Sequence, residues 1–413
     1  MDVDEGTYLA ERSEQFRRRS GLTRRDLLKL GASLPIAAGI ARFAPSGAAR
    51  AAVGDAGSPI VKPLPPEWFV NFGSNAEMRW DSVGDLGYVI PNERFFVRDH
   101  TATPLIDVTT WRLRVFGSGL DGEGAAFSYD EIRKLPEREL VSFVECAGNG
   151  RSFFGLQQGT RVGGTQWGLG AIGVARWRGV PLVEVLERAG LTASAVDVMP
   201  YGLDSSVVSG GVDYGHVRRP IPIGKALDDA LLAFEMNGEQ LPPDHGFPLR
   251  LIVPGWVGVA NIKWVGQIEV SDRPLFSLWN TQQYLLQGDA YPDKPLLTAQ
   301  TVKSAWELPR PAELAASTRA RLSGRAWSGT SAISRVDVSI DQGATWAPAR
   351  LHGRNGAGRW VEFNYTFPPR PAGAYELWAR ATDASGRTQP PTVPFNNGGY
   401  LFGAIVRHPV VVH

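Results

Sequence analysis

Cys146 is the only cysteine among 413 residues, so it has no partner for an intramolecular disulfide. A lone cysteine serves as a small buried hydrophobe, a nucleophile or a soft metal ligand. Cys146 stands where the apolar run Leu140-Val141-Ser142-Phe143-Val144-Glu145 gives way to Gly148-Asn149-Gly150, the pattern of a buried strand entering a turn. Arg151 follows the glycines. A guanidinium folded back beside a sulfur gives an electropositive setting suited to ligation or nucleophilic chemistry. Three other segments set a cation or imidazole beside a turn or a glycine: Arg98-Asp99-His100, Asp244-His245-Gly246 running on to Arg250, and Ile262-Lys263-Trp264. Each has an ordinary account as a loop histidine, an ion-pair arginine or a solvated strand end. Together they suggest a site for a large polyanion, because phosphates and oxyanions take paired arginines, ammonium groups and backbone N–H donors.

The elements that must position these residues are mostly strands. Trp111–Phe116 alternates as a half-buried strand, Tyr129–Leu135 reads as a short helix, and Pro181–Ala189 as an amphipathic helix ended by Gly190. Val196–Ser206 reads as strand and loop, and Leu231–Met236 as a strand closed by Asn237-Gly238. Residues 52–90, rich in Pro, Gly and aromatics, read as an extended arm over the surface with little regular structure. Composition shifts near Pro309-Arg310-Pro311, and strand-like runs then recur at Ala320–Trp327, Ile333–Ile340, Trp360–Phe367, Ala374–Asp383 and Ala404–Val412. Short strands with regular turns, such as Asp341-Gln342-Gly343, and no helix imply an immunoglobulin-like sandwich. The expected fold class is α+β, a mixed α/β domain over 52–305 followed by a β-sandwich over 306–413.

The net charge of +1 points to neither nucleic acid nor an anionic membrane. Thr23-Arg24-Arg25-Asp26-Leu27-Leu28-Lys29 is a twin-arginine pattern, followed by a short interrupted apolar stretch and the small-x-small site Ala49-Arg50-Ala51. Residues 1–51 are therefore expected to be an export signal, with the rest in the periplasm or on the outer face of the envelope. The apolar stretch is too short and broken for a stable membrane span. One cysteine provides neither a Cys-x-x-Cys-His haem attachment nor a four-cysteine iron–sulfur cluster.

From about residue 60 onward the chain resembles the sulfite oxidase family of molybdenum enzymes. Cys146-Ala147-Gly148-Asn149 with Arg151, and Met236-Asn237-Gly238 through Asp244-His245-Gly246-Phe247-Pro248, carry the resemblance. It implies a molybdopterin domain followed by an immunoglobulin-like dimerisation domain. It also implies that Cys146 is the thiolate on molybdenum and that Arg98 and Arg151 form a cationic substrate pocket. His100, Asp204, His245, Arg250 and Lys263 fall where the family binds the pterin and its phosphate, and Tyr284 matches a tyrosine beside the metal. Gly150 stands where the family commonly carries a second arginine.

The activity so implied is two-electron oxygen-atom transfer, with sulfite oxidised to sulfate. No haem domain accompanies the site, so a separate c-type cytochrome is the expected electron acceptor and a homodimer the expected assembly. Two alternatives stay within the family: a sulfane dehydrogenase subunit acting on protein-bound sulfur, and a reductase of S-oxides or nitrate. A third lies outside enzymology: an exported binding module in which Cys146 is a packed core thiol.

Overall fold

The structure, a computed structural model, describes residues 59–413; the twin-arginine stretch lies outside the described residues. Two five-stranded sheets build the first domain. One is mixed, in the order Ile221–Pro222, Asp197–Gly202, Val265–Ser271, Arg112–Phe116 and Ala125–Ser128. Its only parallel pairing joins Val265–Ser271 to Arg112–Phe116. The other is antiparallel: Glu239–Gln240, Leu231–Met236, Ile172–Pro181 and Arg138–Glu145 in sequence across the sheet, with Arg250–Ile252 also paired to Leu231–Met236.

The antiparallel sheet is covered on both faces. One face packs with the helix Leu182–Arg188 and the mixed sheet around Val180, Leu186, Phe234 and Ile268. The other packs under Phe95, Phe96, Met78 and Trp80 and reaches Trp327 and Trp360 of the second domain. Burial on both faces is why the whole stretch Phe143 to Cys146 is buried, Glu145 included, rather than alternating between core and solvent. Helices are few and short. That at Tyr129–Ile132 starts on a capping box, in which Ser128 caps the Glu131 N–H and Glu131 reaches back to Ser128.

The arm expected to lie on the surface is built into the core. Phe69–Asn71, Asn75–Met78 and Val97–Arg98 form a three-stranded sheet, and Phe69, Met78, Trp80 and Val83 are buried. Pro and Gly report turns along a segment; they say nothing about what its aromatics pack against.

The second domain is a two-sheet sandwich. Lys303–Trp306, Ala320–Ser328, Arg359–Phe367 and Arg350–His352 form one sheet. Ala312–Leu314, Arg407–Val412, Gly373–Asp383, Ile333–Ser339 and Ala347–Pro348 form the other. Leu322, Val336, Phe363, Leu377 and Val410 fill the space between them. Residues 396–406 leave the sandwich and return to the first domain: Phe402 packs on Phe153 and Phe154 of the helix Ser152–Gln158, and the Leu401 N–H donates to the Ala147 carbonyl at 2.8 Å.

Candidate active site

Strand Arg138–Glu145 ends at a turn that presents Cys146, 7% exposed, to a pocket. The Cys146 N–H donates to Ala171 O at 2.9 Å, and the Asn149 N–H closes the turn onto Cys146 O at 2.9 Å. Gly150 follows at φ 90°, a left-handed conformation that disfavours any side chain. Glycine adopts this conformation without the cost that a side chain would carry.

Each of the other strands and loops that meet at this pocket brings one or two polar groups. Arg98 ends the strand Val97–Arg98 and lies on the pocket wall with His100. His245 comes from the 3-10 turn Pro243–His245, Arg250 from the start of Arg250–Ile252, and Lys263 from the loop before Val265–Ser271. Asp204 follows the strand Asp197–Gly202, and Tyr284 follows the helix Leu278–Thr281. Eight of the nine residues singled out from sequence thus line one pocket.

Arg151 is the ninth, and it lies behind the wall. Its Nε donates to Gly398 O at 3.0 Å and its Nη1 to Thr165 O at 2.9 Å. Its guanidinium sits 5.5 Å from the Tyr400 ring centre. A Cβ on Gly399 would come within 2.7 Å of Arg151 Cγ, so the loop can close on the arginine only as glycine.

Two carboxylates that the sequence did not single out brace the pocket, Asp99 by pairing with Lys263 and Asp244 by tying down the arm. Asp99, 2% exposed, accepts from Lys263 Nζ, and its Oδ2 lies 3.0 Å from Thr103 Oγ1. Asp244 accepts from Thr103 Oγ1 at 2.6 Å and from the Val61 and Lys62 N–H groups at 2.9 and 2.8 Å. Lys263 also donates to Asp244 O at 2.7 Å. Both aspartates sat inside the quoted motifs; their role shows only when the arm, at residues 61–62, is folded beside them.

Burial sets the protonation states. It lowers the pKa of both His100 and His245 well below 6.5, helped by Arg98 at the first and by Lys62 and Arg250 at the second, so both rings are neutral at pH 7. His100 Nε2 shares a hydrogen bond with Tyr284 Oη at 3.1 Å. His245 Nε2 donates to Asn92 O at 3.3 Å, which makes Nδ1 its acceptor. Burial pushes the Asp204 carboxyl up to about 6 and the Tyr284 phenol well above 10, so the phenol stays protonated. Tyr284 itself is held at φ 56°, stacked on Tyr400 with ring centres 5.3 Å apart.

The donor set fits a molybdenum–pterin cofactor. Among the described residues no group of three or more His, Cys, Asp or Glu is placed to hold a metal ion. Cys146 offers one soft ligand, which suits a metal that brings its other ligands on an organic group. Arg250, 6% exposed, pairs with no carboxylate among the described residues, and its buried Nε has no partner. An unpaired buried guanidinium beside Lys263 suits an anion such as a phosphate.

Residues 100–279 match the oxidoreductase molybdopterin binding domain family, and residues 296–410 match the Mo-co oxidoreductase dimerisation domain family. Sulfite oxidase from Gallus gallus is 37% identical over 325 residues, covering 74% of this chain and 69% of its own. Mitochondrial sulfite oxidase from Homo sapiens is 37% identical over 324 residues, and this chain spans 58% of its length. The sulfane dehydrogenase SoxCD structure from Paracoccus pantotrophus superposes with a TM-score of 0.70 at 27% identity, covering 92% of this chain and 95% of that one.

Proposed function

This chain belongs to the sulfite oxidase family of molybdopterin oxidoreductases, and from that premise we propose that it oxidises a small sulfur oxyanion such as sulfite to sulfate. The balanced change is sulfite plus water to sulfate, two protons and two electrons. Bound molybdenum–molybdopterin supplies the two-electron couple for the oxygen-atom transfer. Cys146 would hold the metal, and His100, Asp204, His245, Arg250 and Lys263 would hold the pterin and its phosphate.

The observation that carries this reading is Arg98. It lines the Cys146 pocket, and no carboxylate neutralises it among the described residues. A guanidinium there orients an oxyanion and offsets its charge. Protonated Tyr284, tied to neutral His100, adds one hydrogen-bond donor or acceptor on the same wall. Electrons would leave to a separate c-type cytochrome. We further propose export by the twin-arginine route to the periplasm, and a homodimer formed through the sandwich domain.

A sulfane dehydrogenase reading has one observation in its favour. Arg151 Nε and Nη1 donate to carbonyls, and with Arg250 given to the cofactor the pocket wall is left with Arg98, whose own Nη1 donates to Asp99 O, as its substrate arginine. That suits a less highly charged sulfur group better than a free dianion.

Steady-state reduction of a c-type cytochrome by sulfite, in wild type and Arg98→Met, tests the proposal. Loss of a charged hydrogen bond of about 1.5–3 kcal/mol is expected to lower kcat/KM by roughly one to two decades, at unchanged molybdenum content. Unchanged kcat/KM at full metal loading would remove Arg98 from the site. Wild type inert toward sulfite but active on a thiol-bound sulfane would favour the second reading.

A further inference from the structure

Glu145 precedes Cys146 and is fully buried. Its carboxylate takes Asn149 Nδ2 at 2.9 Å and Lys303 Nζ at 2.8 Å on Oε1, and Trp327 Nε1 at 3.0 Å on Oε2. Lys303 and Trp327, 4% and 0% exposed, sit on the sandwich strands Lys303–Trp306 and Ala320–Ser328. Lys303 also donates to Asn149 O at 3.1 Å, and Gln300 Nε2 donates to Glu145 O at 2.8 Å. Both ends of the turn that carries Cys146 are thus fastened by buried polar groups from residues 300–327, where the chain enters the sandwich.

A buried ion pair adds little net stability, because desolvation offsets most of the attraction, and an apolar pair of the same volume often serves as well. What such a pair does provide is orientation, since each partner tolerates few other positions. We propose that Glu145 is a positioning residue that fixes the location of Cys146, and that Lys303 and Trp327 of the sandwich fix Glu145. The second domain then acts on the metal ligand through Glu145. The inference rests on Cys146 being that ligand.

The test uses the full-length protein prepared without cofactor and treated with iodoacetamide far below its unfolding temperature. Cys146 is the only cysteine, so the label reports this turn alone. Trp327→Phe removes the N–H and part of a fully buried ring, so its Tm is recorded beside its labelling rate; Lys303→Met removes the counter-charge. Each is expected to raise the labelling rate by about tenfold or more, because a lost charge-assisted bond favours local opening of the turn. Val338→Ala, on the other sheet of the sandwich, is expected to lower Tm yet leave the rate within about twofold, since distant sites act independently. In the loaded enzyme, Trp327→Phe is expected to shift the molybdenum(V) electron paramagnetic resonance signal at unchanged metal content. If Lys303→Met fails to fold, Trp327→Phe carries the test. A labelling rate that simply follows Tm across all variants, or stays at the wild-type value in Trp327→Phe, would overturn the proposal. Failure to turn over sulfite leaves the labelling result untouched, so the two readings fail separately.

Discussion

Arg250→Met separates a guanidinium kept for a ligand from one kept for the fold. Arg250 is buried, lies 5.2 Å from the Trp177 ring centre and donates from Nη1 to His245 O at 3.0 Å. Burial lowers its pKa from 12.5 to about 9. That difference corresponds to a cost of about 5 kcal/mol for keeping the charge. The folded value lies below the unfolded one, so the cost is present in full below about pH 9 and is relieved as pH rises toward 12.5. Against it stand one charged hydrogen bond, about 1.5–3 kcal/mol, and a cation–π contact, up to about 2 kcal/mol. The balance at pH 7 runs from about zero to about 3 kcal/mol unfavourable. Cofactor-free Arg250→Met, whose side chain still covers Trp177, is therefore expected to unfold within a few degrees of wild type or above it. The loaded enzyme should show the reverse, because an anion loses its partner: molybdenum content at limiting cofactor is expected to fall about tenfold or more. Thermal unfolding of the cofactor-free form and metal analysis of the loaded form make the comparison. A Tm loss of about 10 °C, roughly 3 kcal/mol or more, with metal content unchanged, would refute the reasoning and make Arg250 a structural cation.

Arg151→Met removes two charged hydrogen bonds to carbonyls, so it should lower Tm more than Arg98→Met does while changing KM for sulfite less; unfolding curves beside steady-state kinetics decide this. Glu77 accepts from the Gly168 and Gly170 N–H groups, and burial pushes its carboxyl from 4.5 up to about 7. Its folded pKa is the higher one, so wild type should lose up to about 3 kcal/mol relative to Glu77→Gln as pH rises from 4.5 through 7; denaturant unfolding at pH 5 and pH 8 reads the difference. Light scattering at micromolar concentration should give twice the 44.9 kDa chain mass, and a monomer mass would count against the sandwich as a dimer surface.

Much of the pocket was legible because its residues sit beside turns. Cys146, Arg98, His245 and Lys263 each end or precede a strand, and a strand end next to glycine or a tight turn can be read locally. The sandwich was legible for the same reason: Gln342 and Gly343 do adopt left-handed conformations, at φ 58° and 89°, between the strands expected on either side. Arg151 illustrates the limit. Nothing near it in sequence announces that Gly398, 247 positions later, takes its Nε. Asp99 and Asp244 received no role from the sequence because Lys263, which pairs with the first, and Thr103 and the arm residue Lys62, which bond the second, come from distant segments. The arm itself was misjudged because its aromatics pack against residues as distant as Trp327 and Trp360.

The return of residues 396–406 has a consequence for how the enzyme is made. Tyr400, Leu401 and Phe402 close over Tyr284, Ala147 and Phe153, yet they follow the whole first domain and nearly all of the sandwich in the chain. A ribosome delivers Cys146 long before it delivers the residues that finish the wall around it. The first domain therefore emerges with its pocket open along that side, whatever order its own strands assemble in. Cofactor capture therefore either precedes closure by this late segment or waits for it to swing away.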